Sequence, residues 1–141
     1  MNILYISKSI IPSISANSIH VMKMCQAFSN NGHKVILLAP NIKSKYEKGI
    51  VDNYNYYGVK KNFEIKKLWH PNIKGGAILY TLAICFYLLF TKNFNLVYGR
   101  FLHGCYVATL LKNKVIFEVH EIIFKKKNNK SFIFKKLIKR K

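Results

Sequence analysis

The residues best suited to chemistry stand where apolar runs end. Arg100 follows Leu96-Val97-Tyr98-Gly99 and is the only arginine ahead of Arg140. A guanidinium there can grip a phosphate or a carboxylate with two parallel hydrogen bonds. Its plainer use is an ion pair with Glu118 or Glu121. His120 follows Val115–Val119 and lies between those two glutamates. An imidazole near neutral pH can donate or accept one hydrogen bond, or shuttle a proton. A lone histidine at a strand end is more often a structural residue, and His33, in Gly32-His33-Lys34, reads as part of a turn. Ser7, Ser9, Ser13 and Ser15 follow the first apolar run, but no base partner is spaced to activate them, which argues against a serine nucleophile. The chain has no G-x-G-x-x-G after its first apolar run, which argues against a dinucleotide oxidoreductase, and no P-loop, G-x-S-x-G or H-E-x-x-H. Neither a metal nor a cofactor is expected.

These residues need a scaffold, and the apolar periodicity supplies one. Asn2–Ser7 is a continuous apolar run, as expected of a strand buried on both faces. Lys8 to Ser18 is a loop, with Asn17 or Ser18 placed to cap the helix that follows over Ile19–Asn30. Val21, Met24, Cys25 and Phe28 fall on one face of that helix at a 3.6-residue period. Gly32 sits where a left-handed terminator is wanted. Val35–Ala39 is a second strand, so the first 39 residues form one right-handed βαβ unit. A polar stretch to Tyr57 follows, in which Tyr54, Tyr56 and Tyr57 suit the edge of a core better than a stacking platform. Phe63–Leu68 alternates and reads as an edge strand. A helix over 77–91, a strand at Leu96–Tyr98, a helix over Phe101–Leu111 and a strand at Val115–Val119 complete the pattern. In the second of these helices Gly104 and Ala108 allow close packing. Strand alternates with helix throughout, which implies an α/β, Rossmann-like, doubly wound parallel sheet. Ligands on such sheets bind beyond the carboxyl ends of the strands. The loop after Ser7, Gly99-Arg100 and Glu118–Glu121 would all open onto that one rim.

Composition narrows the class. With 141 residues, half of them hydrophobic, the chain can build one domain with a substantial core. It carries 24 Lys and Arg against 5 Asp and Glu, a net charge of +19. Lysine supplies nearly all of it, and lysine is a poorer fork for bases than arginine. Nucleic acid is therefore a disfavoured partner, whereas an anionic membrane surface fits the charge. Residues 125–141 hold nine cations and no acid, interleaved with apolar residues as in a basic amphipathic helix. Residues 75–91 are uncharged but fall a little short of the roughly 18–20 residues of a spanning helix. Cys25, Cys85 and Cys105 have no metal or disulfide spacing and read as free thiols of a reducing compartment. A cytoplasmic location is the expectation, with peripheral attachment at the inner face of the membrane as its variant.

Three ordered stretches carry a family likeness. Ser9–Phe28 with Gly32-His33-Lys34-Val35, then Leu96-Val97-Tyr98-Gly99-Arg100, then Val115-Ile116-Phe117-Glu118-Val119-His120-Glu121, together resemble the N-terminal domain of a family 4 glycosyltransferase. The resemblance implies one half of a GT-B fold, in which an N-terminal Rossmann-like domain binds mostly the acceptor. The C-terminal domain of such enzymes binds a nucleotide-sugar, and transfer retains configuration, usually without a bound metal. His120 resembles the family histidine that reaches toward the donor sugar. Ser15, Ala16 and Asn17 match a first-strand loop that many members make glycine-rich and set near the donor phosphates; here it has no glycine. Arg100 and Glu118 match polar strand ends facing the cleft.

The expected organisation is a Rossmann-like domain over 1–124, and a basic helix over 125–141 leading toward a missing C-terminal domain. The expected function is the N-terminal half of a retaining glycosyltransferase, inactive alone. It would move a sugar from a nucleotide-sugar donor, held mainly by the missing domain, to a glycan or lipid-linked acceptor. A second chain could complete it. The alternative is a non-enzymatic α/β module that docks on a membrane surface or a partner.

Overall fold

The computed structural model describes residues 1–91, 93–111 and 113–119, together with Ile133, Lys135 and Lys136. Its strands are β1 (Asn2–Ile6), β2 (Lys34–Asn41), β3 (Glu64–Trp69), β4 (Leu96–Gly99) and β5 (Val115–Phe117). Its helices are α1 (Ala16–Asn30), α2 (Asn53–Tyr56), α3 (Gly76–Phe90) and α4 (Leu102–Leu110). The five strands form one sheet in the order β3-β2-β1-β4-β5, and every neighbouring pair is parallel. β1 is central and β3 lies at an edge, as the apolar pattern predicts. The basic helix expected over 125–141 lies outside the described stretches but for three residues.

Alternation along β1 builds two cores. Ile3 and Tyr5 face α1, packing with Val21, Met22 and Cys25. Leu4 and Ile6 face the other side, with Tyr80 and Ile84 of α3 and Ala108 of α4. A strand buried on both faces has no polar side to spare, hence its unbroken apolar run. The tyrosine cluster closes the first core: Tyr57 is buried, and the Tyr54 hydroxyl donates to the Phe63 carbonyl at 2.7 Å.

Close approach explains two glycines. A Cβ at Gly104 would stand 2.8 Å from Ile6 Cγ2 and 3.1 Å from Ile84 Cδ1, so the small residue lets α4 settle onto β1 and α3. A Cβ at Gly99 would meet both Cys105 Sγ and the Ile6 carbonyl oxygen at 2.7 Å. Gly32 terminates α1 with φ of 78°, in the left-handed region glycine enters freely.

The start of α1 departs from expectation. The helix begins at Ala16, three residues before Ile19, and its N-cap is Ser15 rather than Asn17 or Ser18. Ser15 Oγ accepts from Ser18 N at 3.2 Å, which satisfies one of the free donors of the first turn. Ser18 is then spent inside that turn, and Asn17 reaches back to the Ser9 hydroxyl. β5 is shorter than expected, ending at Phe117, while β2 runs on through Pro40 to Asn41.

Candidate functional site at the strand carboxyl ends

Backbone ladders continue one residue past the strands and set the rim. Ser7 N donates to the Leu38 carbonyl at 3.0 Å, Arg100 N to the Ile6 carbonyl at 3.1 Å, and Glu118 N to the Gly99 carbonyl at 2.9 Å. Ser7, Arg100 and Glu118 therefore stand side by side at the carboxyl ends of β1, β4 and β5. The chain leaves β1 toward β2 on one side and reaches β4 on the other, so this is also the topological switch point of the sheet.

Glu118 is the hub. Its Oε1 lies 3.4 Å from Arg100 Nε and 3.2 Å from His20 Nε2. Its Oε2 accepts from the Tyr98 hydroxyl at 3.1 Å. The Arg100 side chain is largely buried and that of Glu118 three-quarters so. Burial, with the Glu118 charge behind it, raises the pKa of the Tyr98 phenol, so Tyr98 remains a hydrogen-bond donor at neutral pH. The plainer use of Arg100 foreseen from the sequence, an ion pair with Glu118, is the one observed. His20 was not foreseen. It sits in the second turn of α1, 98 residues from its partner, and no spacing rule connects two such positions.

The serine loop braces itself. Ser7 Oγ donates to Ser9 Oγ at 2.9 Å, and Asn17 Nδ2 donates to the same Ser9 oxygen at 2.8 Å. Ser18 Oγ donates to the Ser13 carbonyl at 3.0 Å. The Tyr57 hydroxyl takes the Ser13 N–H at 2.6 Å and returns a bond to the Ser13 carbonyl at 2.9 Å. From the opposite face the Tyr80 hydroxyl donates to the Ser7 carbonyl at 2.7 Å. Ser15, Ala16 and Asn17 are exposed at the N-terminus of α1, where unpaired N–H groups and the helix dipole favour an anion.

Arg100 and Glu118 are thus brought together with His20 and Tyr98, and Ser15, Ala16 and Asn17 stand at the start of the helix that carries His20. His120, like Glu121, lies outside the described residues. Among the described residues no three His, Cys, Asp or Glu gather closely enough to hold a metal ion. A second imidazole, His70, follows β3 on the α3 side, its ring 5.5 Å from that of Tyr80. Both its nitrogens are buried and have no hydrogen-bond partner among the described residues. Hollows of about 200 and 390 Å³ open beside Lys34 and Ile36, at the amino ends of the strands and away from this rim.

Comparison with known proteins places the fold. No protein-family model matches the chain, and no curated protein matches it in sequence. Among solved structures, Anabaena HepE in complex with UDP superposes with a TM-score of 0.57 at 7% identity, over 99% of this chain and 35% of HepE. UGT2 of Phytolacca americana in its apo form gives 0.56 at 12% identity, over 85% of this chain and 30% of UGT2. UGT2 complexed with UDP-2fluoro-glucose and pterostilbene gives 0.54. The C-terminal domain of a hydrogenase from Pyrococcus furiosus gives 0.53 at 11% identity, over 84% of this chain and 91% of that domain. The chain therefore has a Rossmann-like α/β fold that HepE, UGT2 and the hydrogenase domain share. It spans about a third of the length of HepE and of UGT2.

Proposed function

We propose that this chain is the N-terminal, acceptor-side half of a retaining glycosyltransferase of family 4. The observation that carries the reading is the Arg100–Glu118–His20 cluster at the switch point, on a fold shared with UDP-bound HepE. In this reading residues 1–124 form one wall of a cleft. Residues 125–141 lead toward a donor-binding domain, on the same chain or a second one. The acceptor hydroxyl, from a glycan or a lipid-linked glycan, replaces the nucleoside diphosphate at the anomeric carbon with retention. The sugar–diphosphate bond breaks, a glycosidic bond forms, and the hydroxyl proton leaves with the diphosphate.

Roles follow from position. Arg100 holds an oxygen of the donor diphosphate or the acceptor, and Glu118 fixes the guanidinium for that task. The first turn of α1, with Ser15, Ala16 and Asn17, faces the diphosphate with its free N–H groups. His120, by its resemblance to the family histidine, is assigned to the donor sugar. One wall alone cannot hold both substrates, and positioning of that kind supplies roughly 7–11 kcal/mol of barrier lowering. Residues 1–141 alone should therefore transfer negligibly. A cytoplasmic setting, where nucleotide-sugars serve as donors, completes the proposal.

The test is a transfer assay with a panel of nucleotide-sugars, using this chain joined to, or mixed with, a donor-binding domain. Turnover should appear only with both parts. His120→Ala should cut turnover far more than acceptor binding, because a group at the sugar acts mainly in the transition state. Full activity of that variant would remove His120 from the site, and robust turnover by the 141 residues alone would remove the half-enzyme reading.

A further inference from the structure

α3 buries one face and leaves the other bare. Gly76, Tyr80, Ile84 and Leu88 are buried. Ile78, Leu82, Phe86 and Phe90 step along the opposite side at four-residue intervals, and are 67%, 49%, 61% and 86% exposed. Single exposed apolar residues are ordinary on a protein surface, but an aligned row ending in two phenylalanines is a contact surface.

The charge around the row identifies what it meets. The helix itself carries no acid, and none follows it in the chain before Glu118. Lys66 lies along the flank of α3, its Nζ 5.5 Å from the centre of the Tyr87 ring and 3.4 Å from the exposed Glu64 carboxylate. Lys74 is exposed just ahead of the helix. A second copy would bring the same +19 charge and be repelled. A bilayer with anionic headgroups matches both features, apolar beneath and negative at its surface. The helix must lie along that surface. At 1.5 Å per residue its 15 residues reach about 22 Å, against a hydrocarbon core of about 30 Å. No helix among the described residues is long and apolar enough to cross a membrane.

We propose that the exposed face of α3, flanked by Lys66 and Lys74, docks on an anionic lipid bilayer with Phe86 and Phe90 entering the boundary between headgroups and acyl chains. The docking does not depend on the transfer reaction.

The experiment is flotation of the full 141-residue chain with phosphatidylcholine vesicles, with and without phosphatidylglycerol. The chain should bind the anionic vesicles far more tightly and lose affinity as salt rises. The double variant Phe86→Ser/Phe90→Ser keeps every charge, including the basic residues of 125–141, and should lose about tenfold or more in affinity. Lys74→Glu should lose about fivefold or more. These positions are exposed, so both variants should melt as the parent does, as circular dichroism would verify. Unchanged binding by the phenylalanine variant would overturn the proposal, because charge alone would then carry the attachment. Equal binding to neutral vesicles would overturn its anionic part. A dimer that forms through these phenylalanines without vesicle binding would assign the face to a second copy instead. UDP binding, measured on the same variants, should not change, which separates this surface from the rim.

Discussion

Arg100 and Glu118 each extend their strand by one residue, and the extension sets Arg100 Nε 3.4 Å from Glu118 Oε1. The backbone does the aligning: Arg100 N is tied to Ile6 and Glu118 N to Gly99. The pair is therefore held by the sheet rather than by flexible loops, and its partners Tyr98 and His20 come from a strand and a helix.

Glu118→Ala removes a shared acceptor from Arg100, His20 and Tyr98 together. We expect a loss of about 1–3 kcal/mol in urea unfolding, since the Tyr98 hydroxyl and a largely buried guanidinium each lose this partner. Glu118→Gln keeps an acceptor oxygen and should cost less. A Glu118→Ala protein as stable as its parent would remove Glu118 as a structural hub.

Tyr80→Phe deletes the donor to the Ser7 carbonyl without changing the packing of the ring. Burial raises the pKa of this phenol, which therefore stays protonated as a donor through neutral pH. The unmet carbonyl should cost about 1–3 kcal/mol. Hydrogen exchange should rise over residues 7–13 more than over α3, and a uniform rise would contradict a local role.

Gly99→Ala should destabilise by about 1–3 kcal/mol, because one of the two atoms the new methyl meets is the backbone oxygen of Ile6, which cannot rotate away. The Gly99 carbonyl also holds Glu118 N. In the two-part enzyme proposed above, the same substitution should therefore weaken UDP binding, measured by calorimetry. A neutral outcome in both measurements would mean that the strand ends shift freely.

Cys25 and Cys105 are buried, and burial pushes the Cys105 thiol up to about 12 and raises Cys25 likewise. At pH 8 a disulfide reagent should modify the partly exposed Cys85 first, and reach the other two only on unfolding. The same shifts set the sign of the alkaline response. Above about pH 9 the unfolded chain releases these thiol protons while the folded chain keeps them. The unfolded state then binds fewer protons, and stability falls as pH rises toward 12. A urea midpoint that held constant between pH 8.5 and 10.5 would contradict the burial of both thiols.

The sequence by itself determined the scaffold. Apolar runs of strand length at β1, β2, β4 and β5, and helical periodicity between them, admit few arrangements besides a parallel sheet wound on both faces. Strand ends must then share one rim, so Arg100 was legible as a neighbour of the Glu118–Glu121 strand end, with Glu118 and Glu121 both open as its partner. Gly32 and Gly104 were legible too, because a left-handed terminator and a tight helix contact each demand the smallest residue. The beginning of α1 was misread by three residues, since Ser15, Asn17 and Ser18 are all good caps. Which serine caps is decided by where the loop is pinned, through Tyr57 at Ser13 and Tyr80 at Ser7. Only the tertiary structure brought His20 to Glu118, because a contact across 98 residues leaves no periodic trace in the chain. The face of α3 is the same case. Its residues are apolar nearly all round, so hydrophobicity could not say which side is bare; packing against β1 and α4 chose the side with Tyr80 and left Phe86 and Phe90 outside.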